Sequence, residues 1–109
     1  MTTKTQMFGF LLALALTSAG WGAAVEVHKP GSGDRCPVCG MFVARYPEWM
    51  AAVVYRDGQT HYFDGAKDLF KYLTNLSRWA PGHRLEEQRA IRVTEYYGTR
   101  MIEAAEAWY

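Results

Sequence analysis

Residues 49–73 read WMAAVVYRDGQTHYFDGAKDLFKYL, and this stretch decides the fold. The apolar and β-branched run over residues 49–55 predicts a strand, and Asp57-Gly58 is a strong signal for a tight hairpin turn. The chain then resumes an extended pattern over residues 60–63. The first half of the stretch is therefore typical of a β-hairpin.

A helix is expected to follow the hairpin and to pack on its apolar side. Asp64 suits a helix N-cap, and Leu69, Phe70 and Leu73 fall on one face of a helix over about residues 65–75. Farther along, residues 90–97 alternate in polarity and predict a third strand, whereas residues 99–109 are ambiguous between helix and strand. The order ββαβ plus a terminal element predicts a small α+β fold, an antiparallel sheet with one packed helix.

Residues 1–24 have the layout of a secretory signal peptide. Lys4 precedes an apolar run, and the small residues that follow include Gly22 and Ala24, which suit cleavage after Ala24. An uncleaved membrane anchor is the alternative, although small and polar residues dilute the run. We therefore expect export, with residues 25–35 as a polar Gly/Pro-rich linker and residues 36–109 as the domain.

The charge of the expected domain is balanced. Loss of Lys4 with the signal peptide leaves 11 basic residues (12 − 1) against 11 acidic ones. Nucleic acid demands a basic face, so a nucleic-acid partner is not expected. A domain of about 85 residues has a small core, and such a core is often stabilised further by a metal, a disulfide or a partner. The alternative explanation of the small size is that the domain continues beyond Tyr109.

The two cysteines of the chain lie close together in the run Cys36-Pro37-Val38-Cys39, followed by Gly40 and Met41. Thiolate and thioether are the soft ligands that select Cu(I), so three sulfurs within six residues form the best candidate site for chemistry. Gly40 allows the sharp turn that would bring the thioether back toward the thiols. This pattern favours a Cu(I) site.

Further ligands for such a site are available elsewhere in the chain. Met50 and Met101 could complete it, although core packing is the favoured interpretation for both, because methionine is a common gap filler. Three histidines are present, and surface or half-buried positions are expected for them: His28, His61 and His83.

The residues and elements around the cysteine pair distinguish a Cu(I) site from the other known uses of such a pair. Haem attachment requires a histidine directly after the second cysteine, where this chain has Gly40. A thioredoxin-type pair belongs between a strand and a helix, and a structural zinc site requires four ligands. A thiol-disulfide oxidoreductase and a zinc domain stay open as alternatives. No set of nucleophile, base and orienting residue stands out, so we do not expect an enzyme.

Four segments in this order resemble the NosL family, the accessory proteins of nitrous oxide reductase. They are residues 36–41, the hairpin, residues 62–68 and residues 93–96, within a similarity that covers about residues 34–109. The resemblance implies ββαβ units and an exported Cu(I)-binding protein. It also implies copper delivery toward nitrous oxide reductase, near an ATP-binding-cassette transporter complex in the periplasm.

The resemblance also implies the metal ligands. The matching positions are Cys39, Gly40 and Met41, with Cys36 as the additional cysteine of some members, and residues 63–65 resemble the strand-to-helix junction, to which we assign a structural role. Members are often lipoproteins and usually continue into a further glycine- and methionine-containing segment. The expected function is a periplasmic Cu(I) metallochaperone with ligands Cys36, Cys39 and Met41, serving nitrous oxide reductase or a related copper enzyme.

Overall fold

The computed structural model describes residues 25–98 and 100–109. The signal peptide predicted for residues 1–24, and the membrane anchor that is its alternative, lie outside the described residues. Within the described ranges, no helix combines the length and apolar character that a membrane span requires.

The described residues form a four-stranded antiparallel sheet with packed helices, which confirms the α+β prediction. The strands are β1 (Ala51–Tyr55), β2 (Thr60–Phe63), β3 (Gln88–Thr94) and β4 (Met101–Glu103), in the spatial order β2-β1-β3-β4. The helices are α1 (Ala66–Thr74) and the one-turn α2 (Leu76–Trp79), and short 3-10 turns occupy Val43–Arg45, Leu85–Glu87 and Ala104–Glu106. The ambiguous C-terminal segment thus contains both a strand and a helical turn.

Strand β1 lies at the centre of the sheet and has all five residues buried. Ala51, for example, is opposite Phe63 of β2 and Val93 of β3. The predicted hairpin turn is present between β1 and β2, where Gly58 has φ +90° and the carboxylate of Asp57 accepts a hydrogen bond of 2.9 Å from a backbone N–H in the turn. A left-handed backbone favours glycine, so the Asp57-Gly58 signal correctly identified this connection.

Helix α1 packs through Leu69 and Tyr72, both fully buried, while Leu73 is half-buried against the same core. The prediction that Phe70 belongs to this face was wrong. Phe70 is 40 % exposed and its ring contacts that of Tyr109, with centroids 4.9 Å apart. Consecutive helical residues are about 100° apart, so the residue after Leu69 turns away from the core.

The face of the sheet opposite α1 is covered by the chain segment over residues 25–30. The hydroxyl of Tyr62 on β2 donates to the backbone carbonyl of His28 (2.9 Å), and Nη2 of Arg92 on β3 donates to that of Val25 (3.0 Å). Between them in the register lies Ala52, which is fully buried. This part of the segment expected to be a linker therefore packs across the sheet, while the domain boundary at residue 36 stays a prediction.

Candidate metal centre

The two cysteines are presented by a closed turn, named the cysteine turn (residues 36–41). The N–H of Gly40 donates to the carbonyl of Cys36 (2.8 Å), and the N–H of Cys36 donates to the carbonyl of Met41 (2.9 Å). An isolated β-bridge between Arg35 and Phe42 closes the base of the turn. Gly40 has φ +76°, a left-handed conformation that favours glycine. Backbone hydrogen bonds therefore hold the turn that presents the sulfurs, and Nη1 of Arg35 adds a bond of 3.0 Å to the carbonyl of Gly40.

The two thiols differ in exposure. Cys36 is 1 % exposed and belongs to the hydrophobic core, whereas Cys39 lies at the surface, and both thiols are free. The third sequence-predicted ligand, Met41, is 42 % exposed. The site thus combines an anchored sulfur with an accessible one, and the role of the Met41 thioether stays a prediction.

Two carboxylates lie beside the thiols. The Cys39 thiol donates to Oδ1 of Asp64 at 3.3 Å, and the Cys36 thiol donates to Oδ2 of Asp68 at 3.7 Å. One ligand atom from each of these four residues lies within 4.8 Å of the other three. We name these four residues the S2O2 group. Sulfur and oxygen donors at this spacing could hold a metal ion.

The fold brings the two carboxylates to the cysteines at the junction between β2 and α1. Asp64 directly follows β2, and Asp68 lies in the first turn of α1. The predicted N-cap at Asp64 was wrong, because Gly65 occupies the N-cap and the Asp64 carboxylate instead accepts the Cys39 thiol. Asp64 lies before the N-cap and Asp68 within the helix, so helical spacing does not predict this pair from the sequence.

The environment of the Cys39 sulfur disfavours its thiolate. Desolvation is the largest cause that raises the pKa of the Cys39 thiol, to about 12, even though the residue as a whole is exposed. Hydrogen bonds to Asp68, Cys36 and Asp64 act in the same direction, while a hydrogen bond from the backbone N–H of Met41 opposes them. Reactive cysteines have a lowered pKa, so the metal-free site is arranged in the opposite way.

We expect Cys39 to react slowly with disulfide reagents. A pKa of about 12 leaves only a trace of thiolate at pH 8, and the greater nucleophilicity of a basic thiolate offsets part of that loss. The expected rate is about tenfold or more below that of an ordinary exposed cysteine, rising with pH without a plateau up to pH ~10. The measurement is the rate of reaction with an aromatic disulfide, with labelled peptides assigned by mass spectrometry.

The matched variants for this measurement are Asp64→Asn and Glu86→Gln. Asn removes the negative charge that disfavours the thiolate, so Asp64→Asn should react faster than the unchanged chain. Glu86 lies on the exposed 3-10 turn after α2 and its substitution should leave the rate unchanged. A fast reaction of the unchanged chain, with a plateau near pH 7, would contradict this expectation.

The histidines lie apart from the S2O2 group. His61 is half-buried and its Nδ1 is 2.6 Å from the hydroxyl of Tyr72, which is also hydrogen-bonded to the hydroxyl of Tyr55. The His83 ring is half-buried against that of Tyr55, with centroids 4.1 Å apart, and His28 is exposed. Burial, followed by the nearby His83, lowers the pKa of His61. These contacts indicate a packed aromatic cluster that was not predicted from the sequence.

The additional methionines also lie in the packed interior. Met50 is buried in the core and Met101 is half-buried against it. Both line a cleft of about 440 Å³, together with Val27 and Val43, that includes neither cysteine. Their environment is that of core methionines, as the packing interpretation expected.

Comparison with protein families adds to this geometry. The family model described as NosL matches residues 27–109, which is more than half of the chain. The chain belongs to the NosL family. The match contains the whole cysteine turn and both carboxylates of the S2O2 group. NosL membership suggests a copper-binding accessory role, and the S2O2 group could bind a metal ion. Searches of curated proteins and of solved structures found no significant match.

Proposed function

We propose that this chain is an exported Cu(I)-binding metallochaperone that works in the periplasm. It delivers copper for the maturation of nitrous oxide reductase or of a related copper enzyme. The observation that carries the proposal is the pair of adjacent free sulfurs, Cys36 and Cys39, on a preformed turn in a NosL-family chain. Copper is the cargo of this protein, and no reaction is catalysed on it.

The unequal exposure of the sulfurs supports a transfer role. Cu(I) accepts low coordination by thiolate and thioether ligands, so Cys36, Cys39 and Met41 supply enough donors. A partner's sulfur can approach Cys39 and Met41 at the surface while Cys36 stays in the core. Ligand exchange then proceeds one bond at a time, so the ion is passed without being released into water.

The partners belong to the same proposal. They are the copper-receiving enzyme and an ATP-binding-cassette assembly complex at the membrane, as the NosL resemblance implies. Export depends on residues 1–24 acting as a signal peptide, and membrane association through an uncleaved segment is the alternative. The balanced charge of the chain supports a protein partner rather than nucleic acid.

A thiol-disulfide oxidoreductase has less support from the structure. Such enzymes lower the pKa of one thiol at the N-terminus of a helix. In this chain the pKa of Cys39 is raised, and the cysteine turn is followed by a 3-10 turn of only three residues, Val43–Arg45. The site therefore lacks the low-pKa thiol at a helix N-terminus that a thiol-disulfide oxidoreductase uses.

The test is a Cu(I) competition titration of the full chain, purified reduced and without oxygen, against a chromogenic Cu(I) chelator. We expect one Cu(I) per chain. Met41→Leu should weaken binding by about tenfold, since a thioether ligand is lost. Met50→Leu is the matched control, because Met50 is buried in the core and should leave the affinity unchanged.

Two results would contradict the proposal. The first is failure of the unchanged chain to compete with the chelator. The second is equal affinity in the unchanged chain and in a variant that lacks both cysteines, which would place Cu(I) elsewhere. Equal affinities for Met41→Leu and Met50→Leu would remove Met41 from the ligand set and leave the cysteine pair.

A further inference from the structure

We propose that Asp64 and Asp68 extend the sulfur pair into a four-ligand site for a divalent metal ion, Zn(II), so that one site has a Cu(I) state and a Zn(II) state. The Cu(I) state rests on the proposed function. The Zn(II) state rests only on the S2O2 group. In the Cu(I) state the sulfurs bind the ion, and in the Zn(II) state both carboxylates join them.

The spacing of the ligand atoms fits a tetrahedral ion. Zn(II) binds thiolate sulfur at about 2.3 Å and carboxylate oxygen at about 2.0–2.2 Å, so the ligand atoms of a tetrahedral shell lie about 3.3–3.8 Å apart. The four ligand atoms already lie within 4.8 Å of one another. The two sulfur–oxygen pairs, at 3.3 and 3.7 Å, already have the tetrahedral spacing, and side-chain movements of about 1 Å would bring the remaining pairs to it.

The chemistry of the donors also favours a divalent ion. Carboxylate is a hard ligand that Cu(I) does not prefer, so a site for Cu(I) alone gains nothing from two aspartates beside its sulfurs. With all four groups ionised, the site carries four negative charges. Zn(II) neutralises two of them and Cu(I) only one, so the carboxylates favour the divalent ion. Asp64 and Asp68 are in this way specificity-determining residues.

The ligands come from three parts of the fold, and one side is accessible. Cys36 is held in the core, Asp64 follows β2 and Asp68 belongs to α1, whereas Cys39 is exposed. Three ligands are therefore positioned by the fold, and a metal ion can reach the site from the solvent on the side of Cys39. The C-x2-C spacing of the cysteines is also that of half a zinc site. When Cu(I) takes the thiolates, Zn(II) leaves, and the exchange involves no change of oxidation state.

The experiment is a Zn(II) and Co(II) titration of the reduced full chain. Co(II) should give the absorption bands of tetrahedral cobalt with thiolate ligands. X-ray absorption at the zinc edge should count two sulfurs at about 2.3 Å and two oxygens at about 2.0–2.2 Å. This count is made on the unchanged chain, so it decides the proposal even where a variant fails to fold. A shell without oxygen from the protein, or no binding of either ion, overturns it.

Substitutions then test whether the two oxygen ligands belong to Asp64 and Asp68. Asp64→Asn and Asp68→Asn should each lower the Zn(II) affinity by at least tenfold, because loss of an outer-shell partner alone costs about 10–100-fold. Their Cu(I) affinity should stay within about threefold of the unchanged chain, since Cu(I) relies on sulfur. Glu86→Gln is the matched control, with the same loss of charge on an exposed 3-10 turn. Zn(II) affinities equal to that of the control overturn the assignment.

Parallel Cu(I) titrations separate this inference from the proposed function. Zn(II) binding through four ligands without Cu(I) binding would support the zinc state and contradict the chaperone. Cu(I) binding without Zn(II) binding would support the chaperone and overturn the proposal that the two aspartates are metal ligands.

Discussion

Replacement of Cys39 by serine is expected to lower the Cu(I) affinity by about 100-fold or more while leaving the fold intact. A serine hydroxyl does not ionise near neutral pH and is a poor ligand for a soft ion. Because even outer-shell partners contribute about 10–100-fold, a lost ligand should cost at least the upper value. Cys39 is exposed, so the variant should unfold at the same denaturant concentration. The measurements are chelator competition and urea unfolding.

Cys36→Ser is the informative companion of this variant. It removes the other sulfur, so the loss of Cu(I) affinity should be similar. Cys36 is 1 % exposed, however, and a hydroxyl buried in its place costs about 1–3 kcal/mol unless it finds a partner. Cu(I) affinity retained in either variant would contradict the proposed ligand pair. Equal stability of the two variants would indicate that the serine hydroxyl at position 36 has taken over the hydrogen bond to Asp68.

Phe63→Ala is expected to have the largest effect on stability. The Phe63 side chain is fully buried, and its ring meets that of Tyr72 edge-on with centroids 4.9 Å apart. Truncation of a buried phenylalanine costs about 3–5 kcal/mol, against a total stability of about 5–15 kcal/mol for an ordinary domain. The measurement is the free energy of unfolding in urea, taken from the midpoint and slope of the transition.

Phe70→Ala provides the matched control for this stability measurement. It removes the same side chain from a position on α1 that is 40 % exposed, so the expected cost is within about 1 kcal/mol. Equal losses from the two substitutions would contradict the packing described for α1. Phe63 also directly precedes Asp64, so its loss should loosen the junction that positions the carboxylates at the cysteines.

Much of the fold could be predicted because its signals are local. The Asp57-Gly58 turn lies between two extended runs, and β1 and β2 form where those runs are. The bounds of α1 were predicted to within one residue at each end. The predictions failed where a partner distant in the sequence decides the outcome. Neighbouring residues alone do not show which side of a helix will pack against the core. For this reason Phe70 was assigned to the buried face of α1, where the structure has Tyr72.

Of the candidate metal centre, only the two cysteines, which are close in the sequence, were predicted. The sulfurs of Cys36 and Cys39 are three residues apart, so the sequence shows them as a pair. The carboxylates that complete the S2O2 group are 25 and 32 residues away from the cysteines to which they are hydrogen-bonded. Only the return of the chain through the hairpin brings Asp64 and Asp68 to the cysteine turn. Local rules therefore assigned Asp64 a capping role that the fold does not use.

The central position of β1 has a consequence for motion. Its backbone is paired on both sides, so its amide hydrogens exchange with solvent only when the sheet as a whole opens. The cysteine turn is anchored to the same core, because Cys36 is buried there and both thiols are hydrogen-bonded to carboxylates at the junction between β2 and α1. The Cys36 end of the loop that would carry a metal is thus expected to open only when the core around it opens, while the exposed Cys39 end can open locally.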